Sequence, residues 1–369
     1  MTTVHQPDDV RIFAKECRTL ASLGYDVHLI AASASGEVVR NGVHVRGVGA
    51  PASSRRLVRM TRTVAEALRT ARALDADVYH LHDPELIPAG LVLTRDGKRV
   101  VYDAHEDLPA DILDKAWIRR RLRTPVARLA ERLERFAAER FAAVVTATPS
   151  IHDRFSRYRC RAVVVNNYPV LAEFDVVAPP PGGKDRAVCF VGGISEIRGA
   201  GVMVRAMADI DATLLLAGRF LPPQLRDQLA GSAGWSRVVE LGQIGRPEVM
   251  TTLGRSMAGL VLYAPLANHW TAQPTKVYEY MAAGLPVIAS DFTRWRAIVE
   301  AHECGLCVDP TDPVAVGRAI EWVLDHPDEA QAMGRNGRRA VERHFSWESE
   351  RGKLERLYQE ILHQRTVRC

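Results

Sequence analysis

Short apolar runs alternate with helix-length amphipathic stretches along the whole chain. In the first half the strand-length runs fall at 27–31, 43–48, 78–81, 100–103, 144–147 and 163–166. A Pro/Gly-rich stretch, 179–184, then breaks the pattern as a linker start. The rhythm restarts at 188–191, 213–217, 238–241, 260–263, 287–289 and 305–308. Helices are predicted between them, for example over 9–23, 199–208 and 247–256. A capped helix over 346–363 closes the chain, with Ser346 as N-cap. Strand and helix in alternation predict parallel sheets built from βαβ units. The expected architecture is α/β, with two doubly wound domains facing a central cleft. Their expected bounds are 1–175 and 184–345, and the helix in 346–369 crosses back to the first. One element is short or missing: a doubly wound domain opens on a strand, and only residues 2–5 offer one.

The chain has 369 residues, enough for two such domains, and its 47% hydrophobic and 25% charged content is that of a globular protein. No apolar run reaches the roughly 18–20 residues of a membrane span, and no signal peptide is evident. The six scattered cysteines (17, 160, 189, 304, 307, 369) fit a reducing cytoplasm. Cys304 and Cys307 form a lone CxxC in an apolar setting, which reads as buried thiols rather than a zinc site. Net charge is +5, concentrated in 115–140, where nine basic residues meet three acids. Leu122, Val126, Leu129, Leu133 and Phe136 give this segment a helical apolar stripe. The plain reading packs that stripe on the core; the other lays the helix on an anionic membrane surface at the inner face. No nucleic-acid motif is present.

The most informative stretch is Pro274-Thr-Lys-Val-Tyr-Glu-Tyr-Met-Ala-Ala-Gly284, followed by an apolar strand. Pro and Gly mark the two ends of a helix. A helix N-terminus binds anions through its unpaired N–H groups. Lys276 adds a cation in the first turn, and Glu279 lies one turn deeper on the same face. Donors for a diphosphate beside a carboxylate for hydroxyls suit a nucleotide-sugar. Phe190-Val-Gly192-Gly193-Ile-Ser-Glu-Ile-Arg198-Gly199 is a second anion-binding turn, in which Arg198 can grip phosphate oxygens. Glycines recur at Gly218 and at Gly242-Gln243-Ile244-Gly245. In the first half, His80-Leu-His82-Asp83-Pro84 and Asp103-Ala-His105-Glu106 place polar groups just past strands. Asp209-Ile-Asp211 joins a helix to a strand and is not read as a metal motif.

These segments, in this order, resemble the retaining glycosyltransferases of family 4, of GT-B fold, over nearly the whole chain. The resemblance implies an NDP-sugar donor, with UDP favoured over GDP, a sugar transferred with retention, and no metal or other cofactor. Implied catalytic residues are His82, Arg198 and Lys276. Gly192, Gly193, Arg198, Gln243, Ile244, Thr275, Lys276 and Glu279 would bind the donor, Glu279 through the ribose. On the acceptor side stand Asp9, Arg11, Asp83, His105 and Glu106. The acceptor would be a glycan, a lipid-linked glycan or a small molecule, in surface polysaccharide or glycoconjugate synthesis. The chain departs from the family at Thr271, where a sugar-binding Glu is usual, and at Gly193, where a basic residue often stands. A nucleotide-sugar 2-epimerase-like enzyme and a catalytically inactive nucleotide-sugar-binding partner subunit are the competing readings.

Overall fold

The computed structural model describes residues 1–33, 36–49, 59–115, 118–266, 269–270 and 272–363. The departure at Thr271 and the basic pair Arg55–Arg56 lie outside them. The chain divides into two compact units: Met1–Asn167 with Glu348–Cys369, and Tyr168–Trp347. The division precedes the Pro-rich stretch because residues 168–178 are part of the second unit's core. Tyr168 and Phe174 are buried there among Tyr278 and Met281.

The second unit carries a six-stranded parallel sheet. Its strands are β8 (Ala187–Val191), β9 (Thr213–Ala217), β10 (Val238–Gly242), β11 (Ala258–Val261), β12 (Val287–Ser290) and β13 (Gly305–Val308). Their order is β10-β9-β8-β11-β12-β13. The chain thus winds outward one way from β8 and the other way from β11. The gap beyond the carboxyl ends of those two strands is the topological switch point, where open α/β sheets hold ligands. Two apolar clusters, built around Val191, Tyr280 and Trp295 and around Phe190, Met203 and Ile320, cover its faces. Burial on both faces is why β8, β9, β11 and β12 read as continuous apolar runs, while the edge strands β10 and β13 are only partly buried.

The first unit holds two sheets. One is β1 (Val27–Ala31), β3 (Val43–Gly47) and β2 (Gly36–Arg40), in the order β1-β3-β2. The other is β4 (Val78–Leu81), β5 (Arg99–Ala104), β6 (Ala143–Thr146) and β7 (Ala162–Val164), in that order. β2 is not among the predicted strands. It is exposed along its whole length and pairs antiparallel with β3 through Asn41-Gly42, whose φ values of +51° and +76° make a two-residue hairpin turn. That Asn-Gly pair was a readable signal. The strand expected at residues 2–5 is one bridge, Thr2 to Ala31. Thr2 N donates to Ile30 O (2.9 Å) and His82 N to Met1 O (3.1 Å), so Met1–Thr2 link the two sheet edges. The helix over 9–23 is a wide π-helical segment, Val10–Cys17, continued by the α-helix Arg18–Ser22. The terminal helix Trp347–His363 joins this unit: Glu350 accepts from Asn166 N (2.9 Å), and Tyr358 Oη lies 3.0 Å from His80 Nδ1.

The Arg120–Ala138 helix is amphipathic as predicted, but the plain reading of its stripe is wrong. Its buried positions are Ala127, Glu134, Ala137 and Ala138, while Leu122, Val126, Leu129, Leu133 and Phe136 are all exposed. Small side chains let the helix lie close to its domain, so the larger ones fall outside.

Candidate functional site

In the second unit, three neighbouring strands end on glycines. Gly192, Gly218 and Gly242 follow or end β8, β9 and β10 with φ of +148°, +144° and +67°. Gly192 N donates to Ala217 O (2.8 Å) and Gly218 N to Gly242 O (2.7 Å), carrying the ladder past the strands. A Cβ on Gly218 would stand 1.8 Å from the Gly192 carbonyl, so only glycine fits there. Beside this edge lies a cavity of about 350 Å³ lined by Gly192, Gly193, Gly218, Arg219, Gln243 and Ile244.

The helix Thr275–Ala282 is held against the end of β8 by Tyr280. Its ring covers Gly259 of β11, where a Cβ would come within 2.3 Å of it, and its hydroxyl accepts from Val191 N at 3.1 Å. Pro274 is the N-cap rather than the first helical residue, and Gly284 ends the helix at φ +68°. This docking brings Lys276 to the glycine turn: a Cβ on Gly192 would lie 3.6 Å from Lys276 Cε and 3.8 Å from Arg198 Nη1. Arg198 Nη1 donates weakly to Gly193 O at 3.4 Å, and its side chain is exposed. Gly192, Gly193, Arg198, Lys276 and the helix N-terminus therefore converge at the switch point. Gln243 and Ile244 line the cavity beside them.

Glu279 is already engaged. Lys276 Nζ donates to Oε2 at 2.6 Å and Arg246 Nη1 to Oε1 at 3.3 Å. Arg246 also pairs with Glu173 at 2.6 Å and lies 5.1 Å over the Phe174 ring. Arg246 and Glu173 are absent from the sequence reading. The available signal was a cation directly after the Gly242–Gly245 turn, at the first position of the helix Arg246–Arg255. Trp270 is half exposed and rests on Phe292, with ring centroids 4.8 Å apart. Cys304 and Cys307 are free thiols, each pushed up to about 12 by burial.

In the first unit, Asp103 at the end of β5 is the hub, fully buried. Arg11 grips it with two bonds, Nε to Oδ2 (2.9 Å) and Nη2 to Oδ1 (2.8 Å). Oδ2 also faces His105 Nε2 (2.9 Å) and His82 Nδ1 (3.3 Å). Each ring places one nitrogen where an N–H can donate to Asp103. Burial favours the neutral carboxyl, but the charges of Arg11 and His105 outweigh it and hold Asp103 well below the usual range. Burial lowers His82 to about 3, so it is a neutral imidazole. Burial and the neighbouring Asp103 push Glu16 well above the usual carboxylate range against the opposing charge of Arg11. Glu16, His80, His82 and Asp103 bring ligand atoms within 4.8 Å of one another. The Arg11 guanidinium already lies against both side chains, with Nε 3.2 Å from Glu16 Oε1 and Nη2 2.8 Å from Asp103 Oδ1, and its charge would oppose a divalent ion there.

Two acceptor-side expectations, Arg11 and Asp83, are corrected by this geometry. Arg11 is buried, and its donors go to Asp103 and Val165 O. Asp9 caps its helix, accepting from Arg11 N (2.9 Å) and Ile12 N (3.0 Å). Asp83 is 2% exposed and accepts from Thr2 Oγ1 and Thr3 N, pinning the first turn of the chain. Arg11 and Asp83 are spent on the fold, while Asp9 stays partly exposed with Oδ2 3.6 Å from His5 Nδ1. His82 and His105 meet at Asp103, with His82 buried and His105 partly open. Glu106 stays exposed. It neighbours Asp111, which burial and hydrogen bonding to Glu106 raise to about 7.

Two wound α/β units, with a phosphate-sized glycine edge at the switch point of one, define the GT-B class. Residues 10–168 match the model described as glycosyl transferase 4-like domain, and residues 185–326 match glycosyl transferases group 1. The chain belongs to the family 4 glycosyltransferases of group 1. It is similar to a D-rhamnosyltransferase of Pseudomonas aeruginosa, 29% identical over 153 residues, covering 41% of this chain and 39% of that protein. An MMP alpha-(1->4)-mannosyltransferase of Mycolicibacterium hassiacum is 23% identical over 312 residues, 80% of this chain and 74% of its own. A D-inositol 3-phosphate glycosyltransferase of Corynebacterium urealyticum is 27% identical over 188 residues, 48% and 43%. The matched region spans less than half the length of the first and third of these relatives. Among solved structures, sucrose-phosphate synthase from Thermosynechococcus elongatus superposes with a TM-score of 0.77 at 19% identity, covering 94% of this chain and 92% of that one. Anabaena HepE in complex with UDP-glucose gives 0.71 at 14%, covering 93% and 95%. At such identities the likeness is one of fold.

Proposed function

We propose that this chain is a retaining hexosyltransferase that moves a sugar from an NDP-sugar, UDP before GDP, to an acceptor hydroxyl. The observation that carries the reading is the convergence of Gly192–Gly193, Arg198, Lys276 and the Thr275–Ala282 N-terminus at the switch point. Breaking the anomeric C–O bond leaves charge on the departing diphosphate. Fixed N–H donors and two cations aimed at that charge favour the breaking bond over the bound ground state. Lys276 and Arg198 supply what a metal would otherwise supply, so the reaction needs no metal. Glu279 binds the ribose hydroxyls while Arg246 keeps it oriented. Gln243 and Ile244 read the base through their backbone. In a retaining transfer the departing phosphate takes the acceptor proton, which asks for no strong protein base. A neutral His82, held by Asp103, suits a hydrogen-bonding partner for the sugar or acceptor rather than a charge carrier. The acceptor is a glycan or lipid-linked glycan of a surface polysaccharide or glycoconjugate, reached from the cytoplasmic side. Among the described residues no helix is long and apolar enough to cross a membrane.

The test is a donor screen on purified protein, reading nucleotide release from UDP- and GDP-sugars with and without chelator. Release from a UDP-sugar, stimulated by acceptor and unaffected by chelator, is the expected result. Sugar inversion at one centre without acceptor would indicate an epimerase. Nucleotide binding without any release would indicate an inactive partner subunit.

A further inference from the structure

The Arg120–Ala138 helix turns its larger apolar side chains away from its own domain. Leu122, Val126, Leu129, Leu133 and Phe136 follow one another at steps of four and three, one seam on a helix. All five are exposed, from 38% at Val126 to 67% at Leu129. Loose docking is not the cause. Glu134, about one position round the helix from the seam, is fully buried and accepts from Arg154 (2.8 Å) and Tyr102 (3.1 Å), which fixes the rotation of the helix. Arg121, Arg128 and Arg132 stand on one flank of the seam and form no ion pair with any described residue. An apolar seam of this length, rimmed by unpaired cations, marks a binding surface.

We propose that this helix lies on the surface of an anionic phospholipid bilayer, its seam at the headgroup–acyl boundary and its arginines over the phosphates. The occupant follows from charge complementarity. With nine basic residues against three acids in 115–140, a second copy would set cations against cations, whereas an anionic leaflet offers the opposite sign. The enzyme then rests on the membrane and meets a lipid-borne acceptor. The acceptor class rests on the sugar-transfer reading; the docking itself does not.

The experiment is co-sedimentation of the full chain with vesicles of phosphatidylglycerol and phosphatidylcholine, and of phosphatidylcholine alone. Two double variants accompany it, Leu129→Ser with Leu133→Ser and Arg128→Gln with Arg132→Gln. All four positions are exposed, so thermal melts should be unchanged. The expected result is strong binding to the anionic vesicles alone, weakened about fivefold for each arginine removed. The Leu pair should weaken it about tenfold or more. Absence of vesicle binding, or binding indifferent to both variants, overturns the proposal. So does a dimer in sedimentation that the Leu variant dissociates, which would make the seam a contact between copies. UDP affinity measured on the same samples reports the donor site separately, so either reading can fail without the other.

Discussion

Replacing Lys276 with alanine separates phosphate binding from nucleoside binding. The ammonium lies 2.6 Å from Glu279 Oε2, with side-chain exposures of 24% and 16%. To reach a diphosphate it must leave that carboxylate. A hydrogen bond to a charged group contributes about 1.5–3 kcal/mol net. The i,i+3 pair given up is worth roughly 0.5 kcal/mol. The difference, about 1–2.5 kcal/mol, corresponds to a loss of about 5- to 70-fold in UDP affinity. Free uridine has no phosphate to lose. Arg246 still engages the other Glu279 oxygen in the variant, so uridine affinity should stay within about twofold of the parent's. Isothermal titration with UDP, UMP and uridine measures the three constants on one protein. A UDP affinity unchanged by Lys276→Ala, or an equal loss for UDP and uridine, refutes the assignment of Lys276 to the diphosphate.

Three further outcomes follow from the geometry. Gly218→Ala drives a Cβ onto the Gly192 carbonyl and should destabilise the second unit by about 3 kcal/mol or more in urea denaturation. Gly97→Ala, at φ +79° in open space, should cost only about 1 kcal/mol, and equal costs would refute the close-approach argument. Arg11→Met leaves Asp103 buried without its main counter-charge and should cost about 3–5 kcal/mol, partly recovered by adding Asp103→Leu. An additive double variant would mean the two do not act as a pair. The third concerns pH. Burial lowers His82 to about 3 in the folded chain, against about 6.5 for a free imidazole. Between those values the unfolded chain binds a proton that the folded chain refuses, so stability falls as pH falls through that window. His80, also lowered by burial, adds to the loss. Glu16, raised, acts against it, its stabilisation being lost as pH rises above 4.5. Asp111, raised to about 7, and Glu134, also raised, act in the same direction as Glu16, so the part due to His82 is read as the difference between the parent's stability slope from pH 7 to pH 5 and that of a His82 variant. His82→Gln should shift that slope toward greater acid stability, and an unchanged slope would show that His82 does not contribute to it.

Much of the frame was readable because burial on both faces makes each central parallel strand, such as β6, β8, β11 and β12, a continuous apolar run. All twelve predicted strands are present, with ends shifted by a residue or two. The strand that escaped, β2, is wholly exposed and has no such run, although its Asn41-Gly42 turn was visible. The neighbourhood of Gly192, Lys276 and Glu279 was legible because they sit at a strand end and on one helix face, where spacing alone sets it. Arg246 and Glu173 were not, since their partners lie 33 and 73 residues away. Arg11 and Asp83 were misjudged because their surroundings come from long-range contacts. Asp83, for example, accepts from residues about 80 positions earlier.

The sequence by itself determined two wound α/β units, a glycine edge facing a capped helix, and the residue types that suit a nucleotide-sugar. These follow from local periodicity, turn chemistry and spacing, which operate over a few residues. The tertiary structure decided which charges are spent. Arg11 and Asp103 neutralise each other in the core, and Asp83 holds down the first turn of the chain. It also decided which side of the Arg120–Ala138 helix faces water. The seam of Leu122 to Phe136 and the small-residue stripe beside it are offset by about one position on the same helix. Periodicity alone favoured the larger side chains for the core, but Glu134 and its partners Arg154 and Tyr102 turned the helix the other way.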